Sequence, residues 1–157
     1  MGADELASKY EKQGDNYKAI LVKILADRLA EALAERLHEL VRKEYWGYST
    51  SEDLSLEQLL RGDYRGIRPA FGYPSMPDHS EKVKLKNLLD FEKIGVDLTE
   101  NYMMTPVSTV SGLYFANEKA NYFDVGKIYK DQLEEYAKRK AMPTEDLRKI
   151  MPNRVVL

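Results

Sequence analysis

From Tyr17 to Tyr45 the chain contains neither glycine nor proline, and this uninterrupted stretch limits the possible folds more than any other feature. Ala, Leu, Glu, Lys and Arg dominate it, all good helix formers. Leu21, Leu25, Leu29, Leu33, Leu37 and Leu40 recur at helical spacing. The pattern predicts one long helix, capped by Asp15 or Asn16 and stopped by Gly47. At 1.5 Å per residue it spans roughly 40 Å, long enough to act as a spine for the remainder. Residues 1–15, polar and broken by Gly14, read as a flexible or loosely docked start, so one domain is expected over residues 16–157.

Helical spacing sets Asp27, Glu31 and His38 on a flank with Ile20 and Ile24, away from Leu29, Leu33 and Leu40. A carboxylate on a partly apolar flank can meet a ligand or partner. Asp27 and Glu31 form an i,i+4 like-charge pair, unfavourable without a positive neighbour. The plainer alternative has Glu31 and Glu35 pairing with Arg28, Arg36 or solvent. Further on, Ser55 and Gln58 have capping-box spacing for a short helix ending near Gly62. Lys84 to Ile94 reads as a helix closed by Gly95. Val107 to Ala116 and Ala120 to Ile128 are β-capable runs joined by a plausible hairpin turn at Asn117 to Asn121. Lys130 to Arg139 is helical, with Asp131, Glu134, Glu135, Lys138 and Arg139 as a solvated face, and Pro143 opens a last short helix. The expected class is α+β: a long N-terminal helix and short helices packed with a small twisted antiparallel sheet.

Between these elements lies Gly66-Ile67-Arg68-Pro69-Ala70-Phe71-Gly72-Tyr73-Pro74-Ser75-Met76-Pro77-Asp78-His79. Three prolines stiffen the run and Gly72 frees one turn geometry. Helix and central strand are both disfavoured, leaving an ordered surface loop that carries a cation, a phenol, an acid and an imidazole. A ligand site and a rigid connector whose Arg68 caps a carboxylate elsewhere are equally compatible with it. His79 beside Asp78 is a weak acid–base candidate, and structural hydrogen bonding is its simpler role. A second constellation, Ser108 to Phe115, has Gly112 where backbone can approach a ligand closely, with Tyr122 and Phe123 as a possible aromatic wall.

Composition removes several function classes. A formal net charge of -2 with no Lys/Arg cluster gives no attraction to nucleic acid. Zero Cys and two His exclude thiolate chemistry and make a protein-only metal site improbable. No apolar run reaches membrane-spanning length and Met1 to Lys12 is too polar for a secretory signal, so no membrane partner and a cytoplasmic location are expected. A doubly wound methyltransferase lacks its Gly-rich strand-to-helix turn here.

Seven blocks in order resemble the activation domain of cobalamin-dependent methionine synthase. They are Lys23 to Ala32, Tyr45-Trp46-Gly47-Tyr48, Gly66-Ile67-Arg68-Pro69-Ala70 with Gly72-Tyr73-Pro74, Asp78-His79, Leu98-Thr99-Glu100, Val110-Ser111-Gly112 with Tyr114-Phe115, and Asp131-Gln132 with Glu134-Tyr136-Ala137. The resemblance runs from about Asp15 to Asn153. It implies a domain that binds S-adenosylmethionine and supports reductive remethylation of inactive cob(II)alamin to methylcobalamin. Cobalamin would be carried by a neighbouring domain, and the electron would come from flavodoxin or an equivalent reductase. Arg68 would bind the methionine carboxylate, and backbone around Ala70 would hold adenine or neighbouring groups. Gly72 and Tyr73 would line the same groove, Glu31 would be the long-helix acid facing the ligand, and Tyr122 with Phe123 would form the aromatic pair near the sulfonium. No residue is assigned a catalytic role, and no metal is expected on this chain.

Two positions depart from the family pattern: Phe123 stands where a Tyr is frequent, and Gly62 where an acid is expected. The family domain begins upstream with a further acidic contact, so a fragment or short form, not competent for catalysis alone, is expected. The alternative is a non-catalytic docking module for cobalamin or flavodoxin domains that binds S-adenosylmethionine weakly.

Overall fold

The computed structural model describes residues 2–156. Helix α1 (Ala3–Lys12) occupies the segment expected to be a loose start. It lies against the next helix, with Ala7 fully buried and Lys23 bonded to Glu11 at 2.7 Å. The long helix α2 (Asn16–Leu40) begins as predicted, with the Asp15 carboxylate accepting from the Lys18 amide at 3.0 Å. Its last turn widens into a π-helix over Val41–Tyr45 before the chain turns through Gly47 at φ +69°.

The leucine stripe of α2 is left uncovered by the rest of the described chain. Leu25, Leu29 and Leu33 are 53, 71 and 68% exposed, and the only buried residues of the helix are Ala19 and His38. The covered face is instead that of Ala19, Val22, Ala26, Ala30, Ala34 and His38, with Asp27 and Glu35 reaching out from its edge to Ser108 and Arg68. Periodicity identifies an apolar face but not what covers it.

The π turn is fixed by Arg42, fully buried, whose Nε and Nη2 donate to the two oxygens of Glu52 at 2.8 and 2.7 Å. Its guanidinium carbon lies 4.2 Å from the Tyr64 ring centroid. Helix α3 (Leu56–Arg61) has the predicted capping box, Ser55 and Gln58 bonding each other's backbone, and ends at Gly62 in the left-handed region. After the proline-rich loop, a 3-10 turn (His79–Glu81) leads into α4 (Lys82–Leu89), and a second 3-10 turn (Phe91–Ile94) closes at Gly95. Leu85, Phe91 and Val96 form one small core with Phe71 and Leu113 against it.

Strands β1 (Asp97–Leu98) and β2 (Met104–Thr105) make a two-stranded antiparallel sheet. The hairpin expected over Val107 to Ile128 does not form. Asn117 to Ala120 does turn, by an Ala120 N–H to Asn117 carbonyl bond of 3.0 Å. The β-capable runs beside it pair elsewhere: Phe115 bridges Ile67 and Ile128 bridges Val155. Helices α5 (Lys130–Lys140) and α6 (Thr144–Ile150) pack through a second core of Leu133, Ala137, Leu147 and Met151. The class is α+β with a small antiparallel sheet, as expected.

Candidate functional site

The proline-rich run crosses the molecule as an ordered loop held at both ends. Ile67 and Phe115 exchange backbone bonds at 3.0 and 2.9 Å, and the Leu113 amide donates to the Pro69 carbonyl at 3.0 Å. This pairing uses the space at Gly112: a side chain there would meet Pro69 O at 2.7 Å. The close approach expected of Gly112 is therefore to the loop's own backbone. At the far end Asp78 accepts from the Ser80 amide, the Ser80 hydroxyl, Tyr136 and Lys140 at 2.5–2.8 Å. Burial raises the Asp78 carboxyl, but these donors outweigh it and hold the group below its ordinary range. Tyr136 and Lys140 thus tie α5 to the loop, a role that the solvated-face reading of α5 missed.

At the middle of the loop Gly72 adopts φ +98°, and a side chain there would strike the His79 imidazole at 2.2 Å. His79 Nδ1 lies 2.9 Å from Lys82 Nζ. Burial and then the Lys82 charge push His79 below its ordinary value, so the neutral ring accepts from the ammonium. The ring packs beneath Gly72 and also reaches the cavity beside the loop.

Between this loop, α2 and the segments 103–111 and 122–124 opens a cavity of about 850 Å³. Glu31, Arg68, Ala70, Gly72, Tyr73, Tyr122 and Phe123 all line it. Tyr122 is fixed by accepting from the Arg68 amide at 3.0 Å, and the Phe123 carbonyl accepts from Ser75 at 2.7 Å. Met103, Met104 and Val107 add soft apolar wall that no sequence signal had marked. Asp27 does not line it. It accepts from the Ser108 hydroxyl at 2.5 Å, which binds the 103–111 segment to α2.

Arg68 is paired with Glu35. Neither acid of the Glu31–Glu35 pair meets Arg28 or Arg36, and Arg36 bonds Glu39 instead. Burial lowers the Arg68 pKa, but Glu35 more than offsets this, so the guanidinium stays charged. Nearby Tyr64 is pushed up to about 12 by burial and by Glu35, and stays protonated. Among the described residues four buried side-chain polar atoms have no partner, and two of them, Arg68 Nε and Ser111 Oγ, belong to the cavity wall. Orphaned buried donors are rare in folded chains. A mostly apolar cavity with aromatic faces, two cations (Arg68 and Lys82), two acids (Glu31 and Asp124) and unsatisfied donors fits a zwitterionic ligand with a flat ring. Among the described residues no three His, Cys, Asp or Glu side chains cluster to hold a metal ion.

Residues 1–141 match the family model described as vitamin B12 dependent methionine synthase, activation domain. A crystal structure of the MetH reactivation domain bound to AdoHcy superposes with a TM-score of 0.94 at 48% identity. The match covers 99% of this chain and 48% of that one, so this chain spans about half the length of the solved structure.

Proposed function

Since the chain belongs to the family of vitamin B12 dependent methionine synthase activation domains, we propose that it binds S-adenosylmethionine in the cavity beneath the Arg68 loop. The carrying observation is the convergence of Glu31, Arg68, Ala70, Gly72, Tyr73, Tyr122 and Phe123 on one wall. The bound AdoHcy of the similar crystal structure, the demethylated product of that ligand, supports this reading.

Each residue has a physical task. The Arg68 guanidinium, charged and already partly desolvated, binds the methionine carboxylate through parallel N–H donors. The sulfonium has no proton to donate, so it is held by charge and by aromatic faces, which Glu31, Tyr73, Tyr122 and Phe123 supply. Phe123 packs without a hydroxyl. The Ala70 and Gly72 backbone offers polar edges to adenine, while His79 beneath Gly72 keeps the turn rigid.

The ligand supplies an already activated methyl group. In the reaction proposed, cobalamin carried by a neighbouring domain, and reduced by flavodoxin or an equivalent reductase, would supply the nucleophile that accepts this methyl group. This chain would hold the donor with its sulfonium methyl toward that acceptor, and transfer would leave S-adenosylhomocysteine, with the bond's electron pair on sulfur, in the cavity. No proton moves, so this chain supplies position rather than a base. A strongly reduced cobalt and its reductase belong in the cytoplasm, where we place this activity.

Calorimetric titration with S-adenosylmethionine tests the binding step. Saturable binding weakened about 10–100-fold by Arg68→Ala is expected for loss of a charged hydrogen-bonded pair. Binding equal in the two proteins would remove Arg68 from the site.

A further inference from the structure

Two arginines of the described chain, Arg42 fully buried and Arg68 half-buried, pair with glutamates, and the two pairs are built differently. Arg42 engages Glu52 through both prongs of one fork, Nε and Nη2, with both side chains out of solvent and only the outer Nη1 left without a partner. Arg68 engages Glu35 through Nη2 alone, while its Nε is buried without a partner. The Glu35 side chain is 43% exposed. Glu35 lies one helical turn beyond Glu31 and outside the cavity lining, while Arg68, which it bonds, belongs to that lining.

We propose that Glu35 is a specificity-determining competitor: it occupies the Arg68 prong that an incoming carboxylate needs, so only a ligand able to take Nε and Nη2 together displaces it. The proposal rests on the S-adenosylmethionine reading of the cavity and names the group that sets its threshold. The energetic direction follows from the two partners. An unsatisfied buried donor retains its full desolvation penalty, which a bidentate ligand carboxylate relieves and the one-pronged Glu35 contact does not. A half-exposed carboxylate returns readily to water, since such pairs gain little from their mutual attraction. A nucleoside without a carboxylate has nothing with which to drive this exchange, and it binds with Arg68 still held by Glu35.

The test titrates the full chain and its Glu35→Gln and Glu35→Ala variants with S-adenosylhomocysteine and with 5′-methylthioadenosine, which lacks the amino-acid carboxylate. Circular dichroism checks folding, and Glu35 sits at an exposed helix position where both replacements keep good helix formers. S-adenosylhomocysteine is expected to bind both variants about tenfold tighter than the wild type, the scale of one charged hydrogen bond recovered. Methylthioadenosine is expected to bind all three alike. Unchanged or weaker S-adenosylhomocysteine binding by both variants would overturn the proposal and make Glu35 a positioning residue for Arg68. Tightening shared equally by methylthioadenosine would also overturn it, because removal of a negative charge would then be acting on the whole cavity. If the parent reading is wrong the pattern differs, with S-adenosylhomocysteine binding none of the three proteins, wild type included.

Discussion

At the scale of single residues, His38 carries a consequence for stability. It is fully buried, bonds Tyr48 at 3.3 Å, and stacks on Tyr114 with a centroid separation of 5.0 Å. Burial, followed by the Arg42 and Arg68 charges, lowers it to about 4. The folded chain therefore keeps the ring neutral while the unfolded chain protonates it near its ordinary value. Stability is fully present above that value and falls as pH drops toward about 4, by about 3 kcal/mol for a shift of this size. His79, also lowered, acts in the same direction. Urea unfolding at pH 7.5 and pH 5 should show about 2 kcal/mol of this loss, and His38→Gln should flatten much of it; an unchanged stability between the two pH values would mean that His38 does not carry it. His38 was legible in sequence as a flank residue beside Asp27 and Glu31, but not as a buried one. Nothing local announces that Tyr64 and Tyr114 will close over it. The same holds for Glu35, whose partner Arg68 is supplied by the loop rather than by a neighbouring helical turn.

At the scale of elements, start and stop signals were the most readable, because caps are local chemistry. Asp15, the Ser55–Gln58 box and Gly62 begin or end helices where the sequence puts them, whereas the helix expected over Lys84 to Ile94 stops at Leu89 with Asp90 left-handed, and Gly95 closes a separate 3-10 turn. The Val107 to Ile128 hairpin failed because β propensity marks chain that can pair without naming its partner. Phe115 takes Ile67 and Ile128 takes Val155. The π turn ending α2 was likewise invisible, since it depends on Arg42 meeting Glu52 across the following loop. That pair has both prongs satisfied and both side chains buried. Removing one partner strands a buried charge, so Glu52→Ala should cost about 3–5 kcal/mol in urea unfolding. A loss below about 1 kcal/mol would show that water reaches Arg42 once the acid is gone. The Asp78 anchor works between elements: Tyr136→Phe removes one of its donors and should loosen α5 from the loop by about 1 kcal/mol. Faster amide exchange near Asp78 and at the start of α5 would register this, and unchanged exchange would make the Lys140 contacts sufficient alone.

For the molecule as a whole, the described chain divides its burial between two small cores. One lies under the cavity loop around Leu85, Phe91 and Val96, and the other lies between α5 and α6. The leucine stripe of α2 contributes to neither, although it is the strongest apolar signal in the sequence. Stability and ligand binding are therefore expected to separate. Leu147 is fully buried in the α5–α6 core, remote from the residues lining the cavity. Leu147→Ala removes packed methyl groups and should cost about 2–5 kcal/mol. Leu33, 68% exposed, should accept Gln within about 0.5 kcal/mol, because little burial is lost and Gln is a good helix former. Below the unfolding transition both variants should keep S-adenosylhomocysteine affinity within about twofold of wild type, as distant independent sites do. A Leu33→Gln loss as large as that of Leu147→Ala would mean that the stripe is covered in solution. A large affinity loss in folded Leu147→Ala would mean that the Asp78 anchor transmits strain from the second core into the Arg68 loop.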